Sequence, residues 1–206
     1  MNEEEARAAV RAIVGDAAMP RLERFADIVR AESERQNLVA RPTLDSLWNR
    51  HFLDSAQLLP LSDKHDGTWI DVGTGAGFPG MVVALASDRP VVMIEPRRMR
   101  ADFLRGVIEQ EGLTARVTVQ QAKVERVAEP KAAVISARAV ASLAELLQST
   151  AHLASMSTLY LLPKGQSATT EVKEAQRRFA GLFHVEQSIT DSASGIVVVT
   201  NVKERR

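Results

Sequence analysis

The 206-residue sequence contains no cysteine. This absence excludes disulfide bonds, zinc sites built on thiolates and catalysis by a cysteine nucleophile. No run of about 18 apolar residues is present, and the acidic start MNEEEARAAV lacks the basic and apolar regions of a signal peptide. We therefore expect a cytoplasmic protein that makes no contact with a membrane.

Neither sign of charge is in excess, because 26 Lys and Arg residues balance 26 Asp and Glu residues. Any affinity for nucleic acid must therefore come from local basic patches and not from overall charge. Aromatic residues are also scarce, at 4% of the chain with a single tyrosine, which leaves few platforms for stacking on bases. Recognition of an RNA would then depend mainly on phosphates and shape.

The hydrophobic pattern of the chain changes near residue 68. Before this point apolar residues recur at helical spacing, around Phe25 and again over 44–52, which predicts helices. After it, short β-rich runs alternate with helical stretches, which predicts a parallel sheet with crossover helices. These runs are 69–72, 91–95, 115–120, 132–136 and 158–162. The last two runs, 184–190 and 195–202, are too close for a crossover helix and predict an antiparallel hairpin.

No linker or internal repeat separates the helical part from the α/β part. We therefore expect one domain over residues 1–206, with a helical N-terminal extension over 1–65 and an α/β core over 66–206.

The segment WIDVGTGAGFPG, at 69–80, places four glycines directly after the first predicted strand. Glycine permits positive φ and lets the backbone approach a ligand closely. Gly75, Gly77 and Gly80 form the pattern G-x-G-x-x-G, and Glu95 follows about 20 residues after the loop begins, where a carboxylate can bind a ribose diol. An adenosine-containing ligand is therefore predicted at this loop.

Asp71, in the strand ahead of the glycines, narrows the choice of ligand. Its carboxylate could accept a hydrogen bond from an ammonium group, which S-adenosylmethionine carries and nicotinamide and flavin cofactors lack. The D-x-G-x-G-x-G pattern thus favours the methyl donor. A nicotinamide-dependent oxidoreductase and a nucleotide-binding module without turnover remain as alternatives, and Asp71 alone could be an ordinary strand-end carboxylate.

Three segments form a specific combination: RHFLDS at 50–55, DVGTGAGFPG at 71–80 and SARAVASL at 136–143. Further segments complete the pattern: NLVA at 37–40, RRMRADFL at 97–104, AKVE at 122–125 and PKG at 163–165. Together they resemble the bacterial small-subunit ribosomal RNA (guanine-N7) methyltransferase family, also called glucose-inhibited division protein B. The resemblance covers nearly the whole chain.

This resemblance implies a Rossmann-like methyltransferase sheet with an N-terminal helical cap. It implies transfer of a methyl group from S-adenosylmethionine to N7 of a guanine in 16S ribosomal RNA, supplied free or as an assembled or partly assembled small subunit. A methyltransferase for another nucleic acid or a small molecule is the alternative. The family's motif positions, together with the glycine loop, predict cofactor contacts at Asp71, Gly73, Thr74, Gly75, Gly77, Phe78, Glu95, Val124, Glu125 and Arg138.

The residues that are missing agree with N7 as the acceptor atom. Methylation of cytosine C5 usually requires a cysteine, and methylation of an exocyclic amine commonly uses an N/D-P-P-aromatic motif where this chain has SARAVASL. Guanine N7 has a free lone pair and needs alignment with the donor but no general base. We therefore assign no catalytic acid or base and no metal ligand.

Two basic residues are candidates for contact with RNA. Lys164 follows the fifth predicted strand at the carboxyl edge of the sheet, where ligands of open α/β folds bind. Arg98 belongs to a basic helix start with neighbouring arginines, for which a solvated face is the alternative. His51 and Asp54 lie three apart on a predicted helix and could face the cleft or form an ordinary helical pair, so neither is assigned a catalytic role.

Overall fold

One seven-stranded sheet forms the centre of the protein, in a computed structural model that describes residues 1–128 and 131–205. Its strands are β1 (Trp69–Val72), β2 (Val91–Ile94), β3 (Val117–Gln120), β4 (Val134–Ala137), β5 (Leu159–Lys164), β6 (Phe179–Gln187) and β7 (Gly195–Glu204). The strand order is β3-β2-β1-β4-β5-β7-β6, with β1 to β5 parallel and β7 antiparallel to both of its neighbours. The predicted fold class and terminal hairpin are confirmed, although β6 begins at Phe179, before the predicted start at His184.

Helices connect the strands and precede the sheet. They are α1 (Glu3–Val14), α2 (Met19–Ser33), α3 (Asp54–Ala56), α4 (Gly80–Ala86), α5 (Arg98–Gln110), α6 (Leu143–Ser149) and α7 (Ala168–Arg178). Shorter 3-10 turns lie at Arg41–Thr43, Pro60–Ser62 and Val124–Arg126. Within the described part of the chain, no helix is both long enough and apolar enough to cross a membrane.

The helix predicted over 44–52 is present but begins later, near Trp48. A π-helical turn at Trp48–Leu53 runs directly into α3, after a bend that follows the 3-10 turn. The Glu3 carboxylate of α1 accepts the backbone N–H groups of Trp48 and Asn49 at 2.9 and 3.0 Å. A helix that started at residue 44 would have used those N–H groups within itself.

The short central strands are apolar because helices cover both faces of the sheet. Every residue of β1, β2 and β4 is buried, as expected for parallel strands in this position. Side chains alternate between the faces, so Trp69 joins the apolar cluster of α1, α2, α4 and α5, whereas Ile70 and Val72 join the cluster of α6 and α7. Asp71 is therefore an acid in the middle of a fully buried strand.

The N-terminal helices share the first of these cores with the sheet. The rings of Phe25 in α2, Phe52 in the π-helical turn and Phe78 after β1 meet with centroids 5.3 to 5.8 Å apart. Arg24 adds a bidentate ion pair with the buried carboxylate of Glu111, at 2.8 and 3.0 Å. The helical cap is thereby packed directly against the segment that follows β1.

Helix α4 touches β1 at its first residue, Gly80. Its backbone N–H donates to Asp71 Oδ2 at 2.9 Å. A Cβ atom at position 80 would lie 2.9 Å from that same oxygen and 2.8 Å from Met93 Cγ. Contacts this short are not tolerated in packed interiors, so the close approach of α4 to the sheet requires glycine at this position.

We expect Gly80→Ala to lower the free energy of unfolding by about 1–3 kcal/mol, because the added methyl group overpacks the junction of β1 and α4. Gly106→Ala is the matched control: Gly106 is exposed within α5, and a Cβ there meets nothing within 4 Å. The control should raise the free energy of unfolding by about 0.5–1 kcal/mol. Urea denaturation of both variants measures the difference, and equal stability of Gly80→Ala and wild type would contradict the packing argument.

Candidate functional site

The glycine loop, residues 73–79, leaves the carboxyl end of β1 at the point where the strand order reverses. Ligands of open α/β sheets bind in the crevice at this position. Gly73, Gly75 and Gly77 have φ values of +66°, +60° and +99°. Residues other than glycine rarely adopt positive φ values, so the loop conformation depends on glycine at these positions. The predicted sequence of strand, glycine loop and helix is confirmed.

Asp71 lies beneath the loop and not on its outer face. The carboxylate is fully buried, and it accepts the Ser136 hydroxyl on Oδ1 at 2.7 Å and the Gly80 N–H on Oδ2. The Ser136 hydroxyl in turn accepts Trp69 Nε1–H at 2.7 Å. Burial raises the pKa of Asp71 to about 6, although the hydrogen bonds oppose this rise. In this arrangement one carboxylate oxygen contacts β4 and the other contacts α4.

Glu95 directly follows β2 and connects the glycine loop to the start of α5. Its side chain is buried, with Oε2 accepting the Gly75 N–H at 3.0 Å and Oε1 accepting the Arg97 N–H at 2.8 Å. Each carboxylate oxygen can accept more than one hydrogen bond. Glu95 therefore keeps acceptor capacity for two further donors, such as the hydroxyl groups of a ribose.

Val124 and Glu125 lie in the 3-10 turn that follows β3. Val124 packs, partly buried, against the apolar cluster of α6 and α7, and Glu125 is exposed. Because β3 pairs with β2, this turn lies at the same edge of the sheet as Glu95. The structure thus brings these two predicted residues to the edge of the sheet that also carries Glu95.

The loop after β4 packs onto the glycine loop. A Cβ atom at Gly73 would lie only 2.6 Å from Val140 Cγ2, so this contact also requires glycine. Ala139 adopts a positive φ of 54°, which turns the chain between Arg138 and Val140. Two motifs that lie far apart in the sequence are thereby brought together.

Arg138 contacts the RHFLDS segment through its guanidinium group. Its Nη1 donates to the Arg50 carbonyl at 2.9 Å and to Asp54 Oδ2 at 3.0 Å. Its Nη2 lies 2.7 Å from His51 Nδ1, and the guanidinium stands 5.6 Å from the centroid of the Phe78 ring. Arg138 therefore joins three of the sequence motifs at one point.

His51 is the neutral partner of this arginine. Burial, together with the positive charges of Arg138 and Arg50, lowers the pKa of His51 to about 3. Because Arg138 can only donate, Nδ1 must be the acceptor and Nε2 must carry the proton. Nε2–H then donates to the Thr43 hydroxyl at 2.9 Å, which itself donates to the Ala40 carbonyl at 2.7 Å.

A cleft of about 490 Å³ opens beside Arg138. Its walls are the ends of β4 and β5, the π-helical turn and the turn between β6 and β7. Lys164 lines it, but its Nζ is held by Glu171 Oε2 at 2.8 Å and by the Ala141 carbonyl at 2.7 Å. Arg98 lies apart from the cleft lining, with a side chain that is 83% exposed and a 3.4 Å ion pair with Asp102.

Sequence reasoning missed Ser136 and left His51 and Asp54 without an assignment. Ser136 faces Asp71 because β1 and β4 pair in that register, which no local pattern reveals. For His51 and Asp54 a signal was present, since a spacing of three residues places both on one side of a helical turn. Their common partner, Arg138, is more than 80 residues away along the chain.

We expect the free energy of unfolding to fall as the pH drops from 6.5 toward 3, because unfolded His51 binds a proton that the folded protein excludes. At about pH 4.5 this loss amounts to about 2–3 kcal/mol relative to neutral pH. His51→Asn cannot bind this proton and should lack that part of the loss. Protonation of Asp71 has the opposite effect on stability, since its raised pKa favours the folded state below about pH 6. Wild type and His51→Asn both contain Asp71, so this contribution cancels in their comparison. Denaturation at the two pH values measures the difference, and titration of His51 near pH 6 by NMR would refute it.

Comparison with known proteins adds independent information to this geometry. The family model described as rRNA small subunit methyltransferase G matches residues 18–197. A Ribosomal RNA small subunit methyltransferase G from Sphingopyxis alaskensis is 47% identical over 180 residues, which cover 87% of this chain and 77% of that protein. Its counterpart from Novosphingobium aromaticivorans is 46% identical over 203 residues, covering 96% of this chain and 88% of that protein.

Solved structures give the same fold at low sequence identity. A putative S-adenosyl-L-methionine-dependent methyltransferase from Methanococcus maripaludis superposes with a TM-score of 0.62 at 11% identity, covering 86% of this chain and 93% of its own. A methyltransferase from Geobacter sulfurreducens also has a TM-score of 0.62, at 17% identity, with 85% and 89% covered. The overall fold is thus that of these methyltransferases. The chain belongs to the rRNA small subunit methyltransferase G family.

Proposed function

We propose that this methyltransferase transfers the methyl group of S-adenosylmethionine to N7 of a guanine in small-subunit (16S) ribosomal RNA. The observation that carries the proposal is the contact between the glycine loop and the loop after β4, in which Arg138 and Ala139 line the cleft. This shared loop supports a donor site at the glycine loop that adjoins a cavity of about 490 Å³ for the acceptor. The names of the relatives, Ribosomal RNA small subunit methyltransferase G, support small-subunit rRNA as the substrate.

The residues at the carboxyl edge of the sheet fit the methyl donor. When bound, S-adenosylmethionine supplies an electrophilic methyl group on a sulfonium. Glu95 has acceptor capacity for the ribose hydroxyls, as its two hydrogen bonds occupy only one position on each oxygen. We assign the other contacts to the glycine loop and the turn after β3, at Gly73, Thr74, Gly75, Gly77, Phe78, Val124 and Glu125. We also assign donor contacts to Arg138 and to Asp71, whose carboxylate supports the loop from beneath.

The chemistry at the acceptor requires positioning and not proton transfer. Guanine N7 carries a lone pair that is available at neutral pH, so alignment is the main task of the protein. His51 is no general base, because burial lowers its pKa to about 3 and its Nδ1 lone pair is engaged by Arg138. Arg138 can bind a phosphate, the donor carboxylate or guanine O6, whereas a bidentate grip on O6 and N7 would block the reacting atom.

Two cations would contact the RNA: Arg98, which is exposed, and Lys164, which lies in the cleft. The ion pair of Arg98 with Asp102 is exposed to solvent and therefore weak, so Arg98 can exchange it for a phosphate. Lys164 lines the cleft and stays an RNA candidate, but its charge is offset by Glu171. We therefore expect Lys164 to contribute mainly by fixing the Ala141 backbone next to the Arg138 loop.

The substrate would be the small subunit in assembled or partly assembled form, or its free RNA, in the cytoplasm. The N-terminal helices would act with the sheet as one methyltransferase domain over 1–206. This part of the proposal is supported by the shared apolar core of α1, α2 and the sheet. It is also supported by the RHFLDS segment, which forms one wall of the cleft.

We expect Glu95→Ala to weaken binding of S-adenosylhomocysteine by about 10- to 100-fold, since each lost charged hydrogen bond contributes about 1.5–3 kcal/mol. Titration calorimetry measures this affinity. Glu109→Ala, an exposed position on α5, is the control and should bind as wild type does. Tight binding of NAD with none of the sulfur ligand would instead favour an oxidoreductase.

We expect the reaction product to be N7-methylguanine. Labelled donor is incubated with free rRNA and with small subunits that lack the modification, and the labelled nucleoside is then identified by digestion and mass spectrometry. Label on a cytosine, on an exocyclic amine or on no RNA would refute the assignment and favour another methyl acceptor.

We expect Arg138→Ala to lower turnover while the protein stays folded, because the side chain lies at the cleft and each charged hydrogen bond that it loses contributes about 1.5–3 kcal/mol. Initial rates on small subunits measure the loss, and circular dichroism checks the fold. An undiminished rate would remove Arg138 from the site.

A further inference from the structure

The function proposed above gives the RHFLDS segment no role beyond one wall of the cleft, yet two of its side chains bind Arg138. We propose that His51 and Asp54 are positioning residues that hold the guanidinium of Arg138 toward an oxygen of its ligand in the cleft, either the donor carboxylate or an RNA oxygen. This inference rests on the proposed function, because it needs Arg138 to contact the methyl donor or the RNA. Neither residue is a catalytic residue in this proposal, since each acts through Arg138.

The contacts of Arg138 leave part of its guanidinium available. An arginine carries five N–H groups. Three of them are engaged, two on Nη1 by Asp54 and the Arg50 carbonyl and one on Nη2 by His51. The remaining Nη2–H and the Nε–H have no partner among the described residues. The side chain is 20% exposed and lines the cleft, so these two donors can serve an incoming phosphate or carbonyl oxygen.

Asp54 fixes one side of the Arg138 guanidinium, and its own carboxylate is fixed by further hydrogen bonds. Its Oδ1 accepts Gln57 Nε2–H at 2.9 Å and lies 3.4 Å from the Thr190 hydroxyl, while Oδ2 accepts from Arg138. Gln57 Oε1 accepts the backbone N–H of Ile189 at 3.0 Å, which ties the turn between β6 and β7 to the same carboxylate. Asp54 thus connects Arg138 to the opposite wall of the cleft.

His51 fixes the other side of the Arg138 guanidinium through a chain of hydrogen bonds in which each group donates to the next. Arg138 donates to Nδ1, Nε2–H donates to Thr43, and Thr43 donates to the Ala40 carbonyl. Only a neutral imidazole with Nδ1 unprotonated completes this chain, because a charged ring has no acceptor and repels the guanidinium. The ring is further held against Phe78, with the two centroids 5.0 Å apart.

Two substitutions of His51 separate positioning from simple packing. Asparagine places its carbonyl oxygen near the position of Nδ1 and can still accept from Arg138. Glutamine places its amide near the position of Nε2 and loses that acceptor. His152→Gln is the matched control, since His152 lies in the loop that leads into β5, at the amino end of the strands, and its Nε2 contacts the Val127 carbonyl.

We expect His51→Gln to lower kcat/KM on small subunits by about 10- to 100-fold, the loss of one charged hydrogen bond. The affinity for S-adenosylhomocysteine identifies the ligand of Arg138: a loss of the same size indicates the donor carboxylate, and an unchanged affinity indicates an RNA oxygen. His51→Asn and His152→Gln should stay within about threefold of wild type. The double variant His51→Gln, Arg138→Ala should be no slower than Arg138→Ala alone, because His51 acts only through Arg138. Equal rates for His51→Gln and wild type, or additive losses in the double variant, would overturn the inference.

A spectroscopic readout separates this inference from the proposed function. Nitrogen-15 NMR of wild-type protein should show His51 with Nε2 protonated and Nδ1 unprotonated, and Arg138→Ala should shift the Nδ1 resonance. This result does not depend on methyl transfer. If the wild type fails to methylate rRNA, the proposed function is wrong, and if His51 carries its proton on Nδ1, the positioning inference is wrong even when methylation proceeds.

Discussion

The buried carboxylate of Asp71 is the constraint on which the glycine loop depends. It stands in the central strand and receives one hydrogen bond from β4, through Ser136, and one from the first residue of α4. A buried acid with fewer donors would be strongly destabilising, so the carboxylate, the hydroxyl and the glycine must occur together. Their combination fixes where β1 ends, where α4 begins and what path the glycine loop takes between them.

At the cleft, the charge of Arg138 is held in place by groups of different kinds. A carboxylate offsets the charge, a backbone carbonyl and a neutral imidazole accept hydrogen bonds, and an aromatic ring packs beneath it. These partners come from the N-terminal part of the chain and from the loop after β1. The helical cap is therefore part of the site and not only a cover for one face of the sheet.

Local sequence patterns were sufficient to predict most of the fold. The apolar runs of the parallel strands and the closely spaced β-rich runs of the hairpin follow from hydrophobic periodicity, which acts over a few residues. The helix predicted over 44–52 begins only near Trp48, because the Glu3 carboxylate accepts N–H groups that a longer helix would have used within itself. The early start of β6 likewise depends on pairing with the far end of β7, where Phe179 faces Glu204.

The sequence by itself determined the strand, glycine loop and helix at Asp71 to Gly80, the acid at Glu95 and the resemblance to one methyltransferase family. These are features of residue type and spacing along the chain. Only the tertiary structure decided that Asp71 points inward to Ser136, that Lys164 is paired with Glu171 and that His51 and Asp54 hold Arg138. Each of these depends on strand register or on contacts between distant segments, and such contacts are set by packing of the whole chain.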